Sequence, residues 1–168
     1  MEIERKFLIR ELPARLDSYR FHHIEQAYLN TNPVIRIRRQ DEEYYLTYKG
    51  KGLLAREEYN LPLNKESYYH LREKADGTII SKTRYLIPLD KPEFASGISL
   101  SKQESGTPLT IELDIFDEPF CPLTLAEVEF PSENAARAFL PPAWLGEDVT
   151  LDSRYHNSFL SRQTGWLL

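Results

Sequence analysis

Cysteine is nearly absent from these 168 residues: Cys121 is the single thiol. One thiol cannot close a disulfide within the chain or build a cysteine-rich zinc centre, so a reducing, cytoplasmic setting is expected. Long apolar runs are missing too. No stretch approaches the roughly 20 apolar residues that a helix needs to span a bilayer, and the opening Met1-Glu2-Ile3-Glu4-Arg5-Lys6 has no signal-peptide core. No membrane partner is expected. An excess of positive charge is also lacking, the formal net charge being −5. Nucleic acid is therefore not an expected partner, and affinity for any anion has to come from basic residues gathered locally. There is no glycine-rich phosphate loop, no His-Glu-x-x-His zinc signature and no internal repeat, which removes those enzyme classes.

What is present is enough apolar material, 41% of residues with 12% aromatic, for one well-cored domain over residues 1–168. Most of the chain reads with period two, the pattern of strands with unlike faces. Strands are expected at Glu2 to Ile9, Phe21 to Leu29, Val34 to Arg39, Glu43 to Lys49, Leu53 to Leu61, Thr78 to Leu89, Leu109 to Phe116 and Leu123 to Phe130. Gln40-Asp41-Glu42 and Gly50-Lys51-Gly52 supply tight reversals, so the sheet is mainly antiparallel. Helical spacing predicts helices at Lys65 to Ala75, Glu133 to Leu140 and Ser153 to Arg162, after caps at Asn64, Ser132 and Asp152. Residues 91–108 show no period and read as a mobile flap or a disordered connection. The fold class is α+β, mainly antiparallel β.

The chemistry lies in charged pairs at i, i+2 spacing: Glu2/Glu4, Arg36/Arg38, Lys82/Arg84, Glu112/Asp114 and Glu127/Glu129. In a strand such pairs share a face, about 6.6 Å apart at ~3.3 Å per residue. One reading is a solvated sheet face. Yet a solvated face mixes signs, whereas each pair here is pure, with Lys49 adding to the basic set. Gathered carboxylates call for a divalent cation and gathered Arg and Lys for a polyanion. If these faces turn inward, the sheet is a closed barrel of about eight strands with room for one small ligand and helices packed outside. Carboxylate oxygens suit Mg²⁺ or Mn²⁺ better than zinc.

The segment Glu2-Ile3-Glu4-Arg5-Lys6-Phe7 resembles the Glu-x-Glu-x-Lys opening of the CYTH domain, the triphosphate tunnel metalloenzyme superfamily. Further blocks resemble the family in order: Tyr28-Leu29, Arg36-Ile37-Arg38, Thr47-Tyr48-Lys49-Gly50, Lys82-Thr83-Arg84-Tyr85, Ile111 to Phe116, Ala126 to Phe130 and Asp148 to Asp152. The resemblance implies a tunnel in which Lys6, Arg36, Arg38, Lys49, Lys82 and Arg84 bind triphosphate; Arg154, on the expected final helix, reads either as half of a surface pair or as a further substrate contact. It implies Glu2, Glu4, Glu127 and Glu129 as metal ligands, with Glu112 and Asp114 beside them. Lys6 and Arg38 form the expected catalytic set with Glu58, which is assigned to orient water. Family members carry an arginine and two alternate glutamates near Leu54 to Leu61; Arg56 falls where the first glutamate aligns, leaving Arg56 and Glu57 without roles. His22, His23, His70 and His156 have no metal-ligand spacing and read as structural.

The implied activity is metal-dependent hydrolysis of inorganic tripolyphosphate to pyrophosphate and phosphate, with nucleoside triphosphates as poorer substrates, by a monomer or homodimer. A class IV type adenylate cyclase, a thiamine triphosphatase and a non-catalytic polyphosphate-binding module stand as alternatives on the same scaffold.

Overall fold

The computed structural model describes residues 1–166. Its strands are β1 (Glu2–Ile9), β2 (Arg20–Thr31), β3 (Val34–Gln40), β4 (Glu43–Lys49), β5 (Ala55–Arg56), β6 (Glu58–Leu63), β7 (Asp76–Leu89), β8 (Glu93–Phe94), β9 (Leu109–Phe116), β10 (Thr124–Glu129), β11 (Phe139–Leu140) and β12 (Leu145–Asp148). The helices are α1 (Lys65–Arg72), α2 (Lys102–Gly106), α3 (Glu133–Ala138) and α4 (Asn157–Leu160). The main sheet runs β12-β1-β10-β9-β7-β2-β3-β4-β6, and β5 turns back to pair with β1. Because β5 and β6 are one stretch of chain interrupted at Glu57, this pairing brings the sheet round into a barrel. The seam is short: Glu2 opposite Arg56 and Ile3 opposite Ala55.

Alternation along the strands divides the side chains between inside and outside. Phe7, Ile111, Leu113, Ala126 and Val128 point outward and pack under α3 with Phe139. Ala27, Ile37 and Tyr44 point outward beneath Tyr68 of α1. Their neighbours Lys6, Arg36, Arg38, Glu112, Asp114 and Glu127 point inward. A third cluster, with Tyr28, Val34, Ile80, Phe116 and Leu125, fills one end of the barrel together with Tyr155 and Leu160, so that α4 lies across that end. Gly77 permits this plug. Its φ of +73° is open to glycine, and a Cβ there would meet the Ser161 carbonyl at 2.1 Å.

Several expected elements differ. The strand expected over Leu53 to Leu61 is broken at Glu57, whose carbonyl turns to accept from Gly50 N–H at 2.9 Å. The helix expected at Ser153 to Arg162 is a short 3₁₀ turn, Ser153–Tyr155, followed by α4. His156 interrupts it with an extended backbone (φ −82°, ψ 136°) while its ring reaches the Thr150 carbonyl. Residues 91–108 are ordered at two points: Glu93–Phe94 pairs with Phe139–Leu140, and α2 carries a reciprocal cap between Ser101 and Glu104. The helix α3 ends before Phe139 because Leu140 precedes Pro141, which disfavours helical backbone at Leu140. None of the described helices is long and apolar enough to cross a membrane.

Candidate active site

The barrel encloses a cavity of about 400 Å³ whose walls are almost wholly polar. Of the residues singled out from sequence, Glu2, Glu4, Lys6, Arg36, Arg38, Lys49, Glu58, Arg84, Glu112, Glu127 and Glu129 line it. The basic side chains are held inside, not on a solvated face: Arg36 is 5% exposed, Arg38 7% and Lys6 4%.

The sign segregation seen along the chain is largely undone in space, because basic β7 adjoins acidic β9, which is followed in the sheet by acidic β10 and then β1, where Lys6 also lies. Lys6 Nζ donates to Glu127 Oε1 at 2.8 Å. Arg84 donates to Asp114 at 2.7 Å and to Glu127 at 3.0 Å, and it also pairs with Glu112. Lys49 donates to Glu2 at 2.8 Å. Burial alone would push Glu127 up, yet Lys6 and Arg84 hold its carboxyl well below the ordinary range. Burial also opposes the charge on Lys6, and Glu127 with Glu4 more than offsets that.

Two groups stay out of this pairing. Arg36 and Arg38 have no ion pair among the described residues. Arg38 donates to the Gln26 amide oxygen at 2.9 and 2.6 Å, Arg36 donates to the Thr47 hydroxyl at 3.0 Å, and Arg36 Nε is buried with no partner at all. Burial and then the Arg38 charge push Arg36 below its usual range. Opposite them, Glu4 and Glu129 face each other across the β1–β10 ladder. Glu4 is pushed up by burial and then by Glu127; Glu129 is pushed up by burial and then by Glu2.

Whether these carboxylates suit a divalent cation can be judged from the donors. No three His, Cys, Asp or Glu side chains among the described residues gather into an ion cage. A Mg²⁺-type site does not need such a cage: it uses one or two carboxylates and completes its shell with water and phosphate oxygens. The hard oxygens of Glu4, whose one ion pair among the described residues is the long contact to Arg56, and of Glu129, which has none there, fit that description.

Three of the expected site residues lie outside the cavity lining. Lys82 and Asp114 do not line the cavity; they form a fully buried pair behind it, Nζ to Oδ2 2.5 Å. Burial lowers Lys82 to about 8, whereas Arg84 and Lys82 together outweigh burial at Asp114 and hold that carboxyl low. Arg154 also stays outside the cavity, exposed and bound to Asp152 at 2.6 Å. The cavity-facing positions of the broken strand are Arg56, Glu58 and Asn60. Arg56 thus shares the inward face of this strand with Glu58, and an amide, Asn60, stands at the next inward position. Arg56 Nε donates to Glu2 at 3.3 Å and its NH2 lies 3.9 Å from Glu4 Oε1, tying the seam from inside. Glu57 faces out and is exposed.

Sequence reasoning passed over Thr47, Asn60, Gln26 and His156 as site residues. Thr47 and Asn60 lie on the same period-two faces as Lys49 and Glu58, a signal that polarity without charge obscured. His156 lines the cavity, donates through Nε2 to the Thr150 carbonyl at 3.1 Å, and is held below its usual range by burial and then Lys6.

Comparison with known proteins matches residues 1–155 to the CYTH domain. An inorganic triphosphatase of Nitrosomonas europaea is 37% identical over 165 residues, covering 95% of this chain and 96% of that protein. An inorganic triphosphatase of Acetivibrio thermocellus is 33% identical over 168 residues, covering 95% and 92%. Among solved structures, the crystal structure of an inorganic triphosphatase superimposes with a TM-score of 0.64 at 34% identity, covering 98% of this chain and 97% of the other.

Proposed function

The chain belongs to the CYTH domain family, and from that membership we propose that it is a divalent-cation-dependent hydrolase cleaving inorganic tripolyphosphate to pyrophosphate and phosphate. Relatives at 37% and 33% identity carry the name inorganic triphosphatase. The observation that carries the reading is the unpaired state of Arg36 and Arg38. A guanidinium removed from water without a counter-ion is costly, and a bound polyphosphate supplies the missing charge while using the arginine N–H groups bidentately.

In this reading Arg36 and Arg38 grip the phosphate chain, and Lys6 and Lys49, each already steadied by a carboxylate, add point charges along it. Glu4 and Glu129 would hold Mg²⁺ or Mn²⁺, with Glu2 and Glu127 nearby but engaged by Lys49 and Lys6. When bound, such an ion neutralises charge on phosphate oxygens and acidifies water. Glu58 accepts a hydrogen bond from the attacking water and aims it at the terminal phosphorus. As the new P–O bond forms, the bridging P–O bond breaks, and the charge developing on the leaving pyrophosphate faces Arg36 and Arg38. Arg84, committed to three carboxylates, keeps Glu112, Asp114 and Glu127 in place.

The test is a substrate panel with purified protein and Mg²⁺ or Mn²⁺, scoring phosphate, pyrophosphate and cyclic AMP from tripolyphosphate, ATP and thiamine triphosphate. Phosphate and pyrophosphate from tripolyphosphate in equal amounts, stopped by EDTA, are expected. Cyclic AMP from ATP without turnover of tripolyphosphate overturns the proposal.

A further inference from the structure

The cavity wall contains a hydrogen-bonded chain that joins two groups with different roles. Arg36, Thr47 and Asn60 lie in register across β3, β4 and β6. Arg36 NH2 is 3.0 Å from Thr47 Oγ1, Thr47 Oγ1 is 2.6 Å from Asn60 Oδ1, and Asn60 Nδ2 is 3.5 Å from Glu58 Oε1. The direction of the chain is fixed by chemistry. A guanidinium only donates, so the Thr47 oxygen accepts and its single proton goes elsewhere. The Asn60 carbonyl is the acceptor in reach, which turns the amide NH₂ toward Glu58, a carboxylate that only accepts. Thr47 is fully buried, so a hydroxyl without these partners would be costly. Each link donates toward Glu58, and the last, at 3.5 Å and exposed to solvent, is the longest of the three.

We propose that Asn60 is a positioning residue that ties the orientation of Glu58 to the Arg36 guanidinium, so that phosphate held on Arg36 and water held by Glu58 share one alignment. This rests on the reading of Arg36 and Glu58 given above. The amide is what the position requires. Aspartate at 60 would still accept from Thr47 but has no proton for Glu58, and it would set a second negative charge beside it. An apolar residue would end the chain at Thr47.

The experiment measures steady-state release of phosphate from tripolyphosphate by Asn60→Ala and Asn60→Asp, with Asn60→Ala also placed in a Glu58→Gln background. Because Arg36 keeps its bond to Thr47, the loss should fall on kcat, by about 10- to 100-fold, with KM within about twofold. In the Glu58→Gln background Asn60→Ala should cost no more than about twofold further, since residues acting as a unit are not additive. Tripolyphosphate should raise the melting temperature of Asn60→Ala as it does that of the wild type, which separates lost positioning from lost binding. A second pair checks the middle link: Thr47→Ser, which keeps a hydroxyl, should retain at least about tenfold more activity than Thr47→Val. Equal losses from Asn60→Ala in both backgrounds, a rise in KM at unchanged kcat, or equal activity of the two Thr47 variants each overturn the proposal. If the wild type itself releases no phosphate, the triphosphatase reading fails first and this inference with it.

Discussion

Glu4 lies directly across the β1–β10 ladder from Glu129, and the one ion pair that either makes among the described residues is Glu4 to Arg56 at 3.9 Å. Both carboxyls are pushed above their ordinary range, first by burial and then by other carboxylates. A carboxyl raised in the folded state binds its proton more tightly there than in the unfolded chain. The stability it contributes therefore falls as pH rises through the unfolded value of about 4.3 toward the folded one. In the absence of divalent cation, Glu4→Gln is expected to melt higher than wild type at neutral pH, and the difference should vanish below about pH 4. Mg²⁺ should raise the melting temperature of the wild type but not of a Glu4→Gln/Glu129→Gln double variant. An equal Mg²⁺ effect on both would remove these residues as ligands.

Arg36 gives the matching prediction for the anion. Its Nε is buried without a partner, so Arg36→Leu removes an uncompensated charge and should leave the empty protein at least as stable as wild type. Tripolyphosphate at about 100 times Kd should stabilise the wild type by about 2.7 kcal/mol, and most of that should be lost in Arg36→Leu. Thermal melting with and without ligand decides it. An unchanged ligand effect in the variant would place the phosphate chain elsewhere.

How much of this was legible beforehand depends on the range over which each cause acts. Strands β1, β4 and β9 begin and end where period-two alternation puts them, because burying one face is a local demand. The turn at α2 was readable from Ser101-x-x-Glu104, but the absence of hydrophobic period around it hid the cap. Strand β12 was not readable. Leu145–Asp148 is held by pairing with Phe7 and Ile9, more than a hundred positions away in sequence, and carries no alternation of its own. At the site, period-two alternation puts charged residues on shared faces but carries no information about depth. Lys82 and Arg84 share a face two residues apart, and only the barrel's filled end sets Lys82 behind the wall while Arg84 stays in it.

Arg154 tests the outer limit of the site. It is exposed and bound to Asp152 two residues away, a solvent-screened surface pair of the kind that adds little to stability. Arg154→Ala is expected to leave KM for tripolyphosphate within about twofold of wild type and to leave the melting temperature nearly unmoved. A KM rise of about tenfold or more would bring Arg154 back among the substrate contacts.

Asp114 separates a ligand from a structural counter-ion most sharply. As a metal ligand, its change to Asn would weaken cation binding and spare the fold. The geometry points the other way: Asp114 is completely buried, accepts from Lys82 at 2.5 Å and from Arg84 at 2.7 and 2.8 Å, and does not reach the cavity. Asp114→Asn keeps the shape but removes the charge both cations face, leaving Lys82 with no carboxylate partner in the interior. Breaking a buried pair from one side costs about 3–5 kcal/mol, so the midpoint of urea unfolding should drop steeply without cation present. Replacing Lys82 as well, in Lys82→Met/Asp114→Asn, removes a stranded charge and should recover part of the loss, which additive effects would not give. Arg84 still holds Glu112 and Glu127 in that double variant, so the lining of the cavity survives. Wild-type stability in Asp114→Asn with weakened Mg²⁺ binding would return Asp114 to the ligand set and sink the structural assignment.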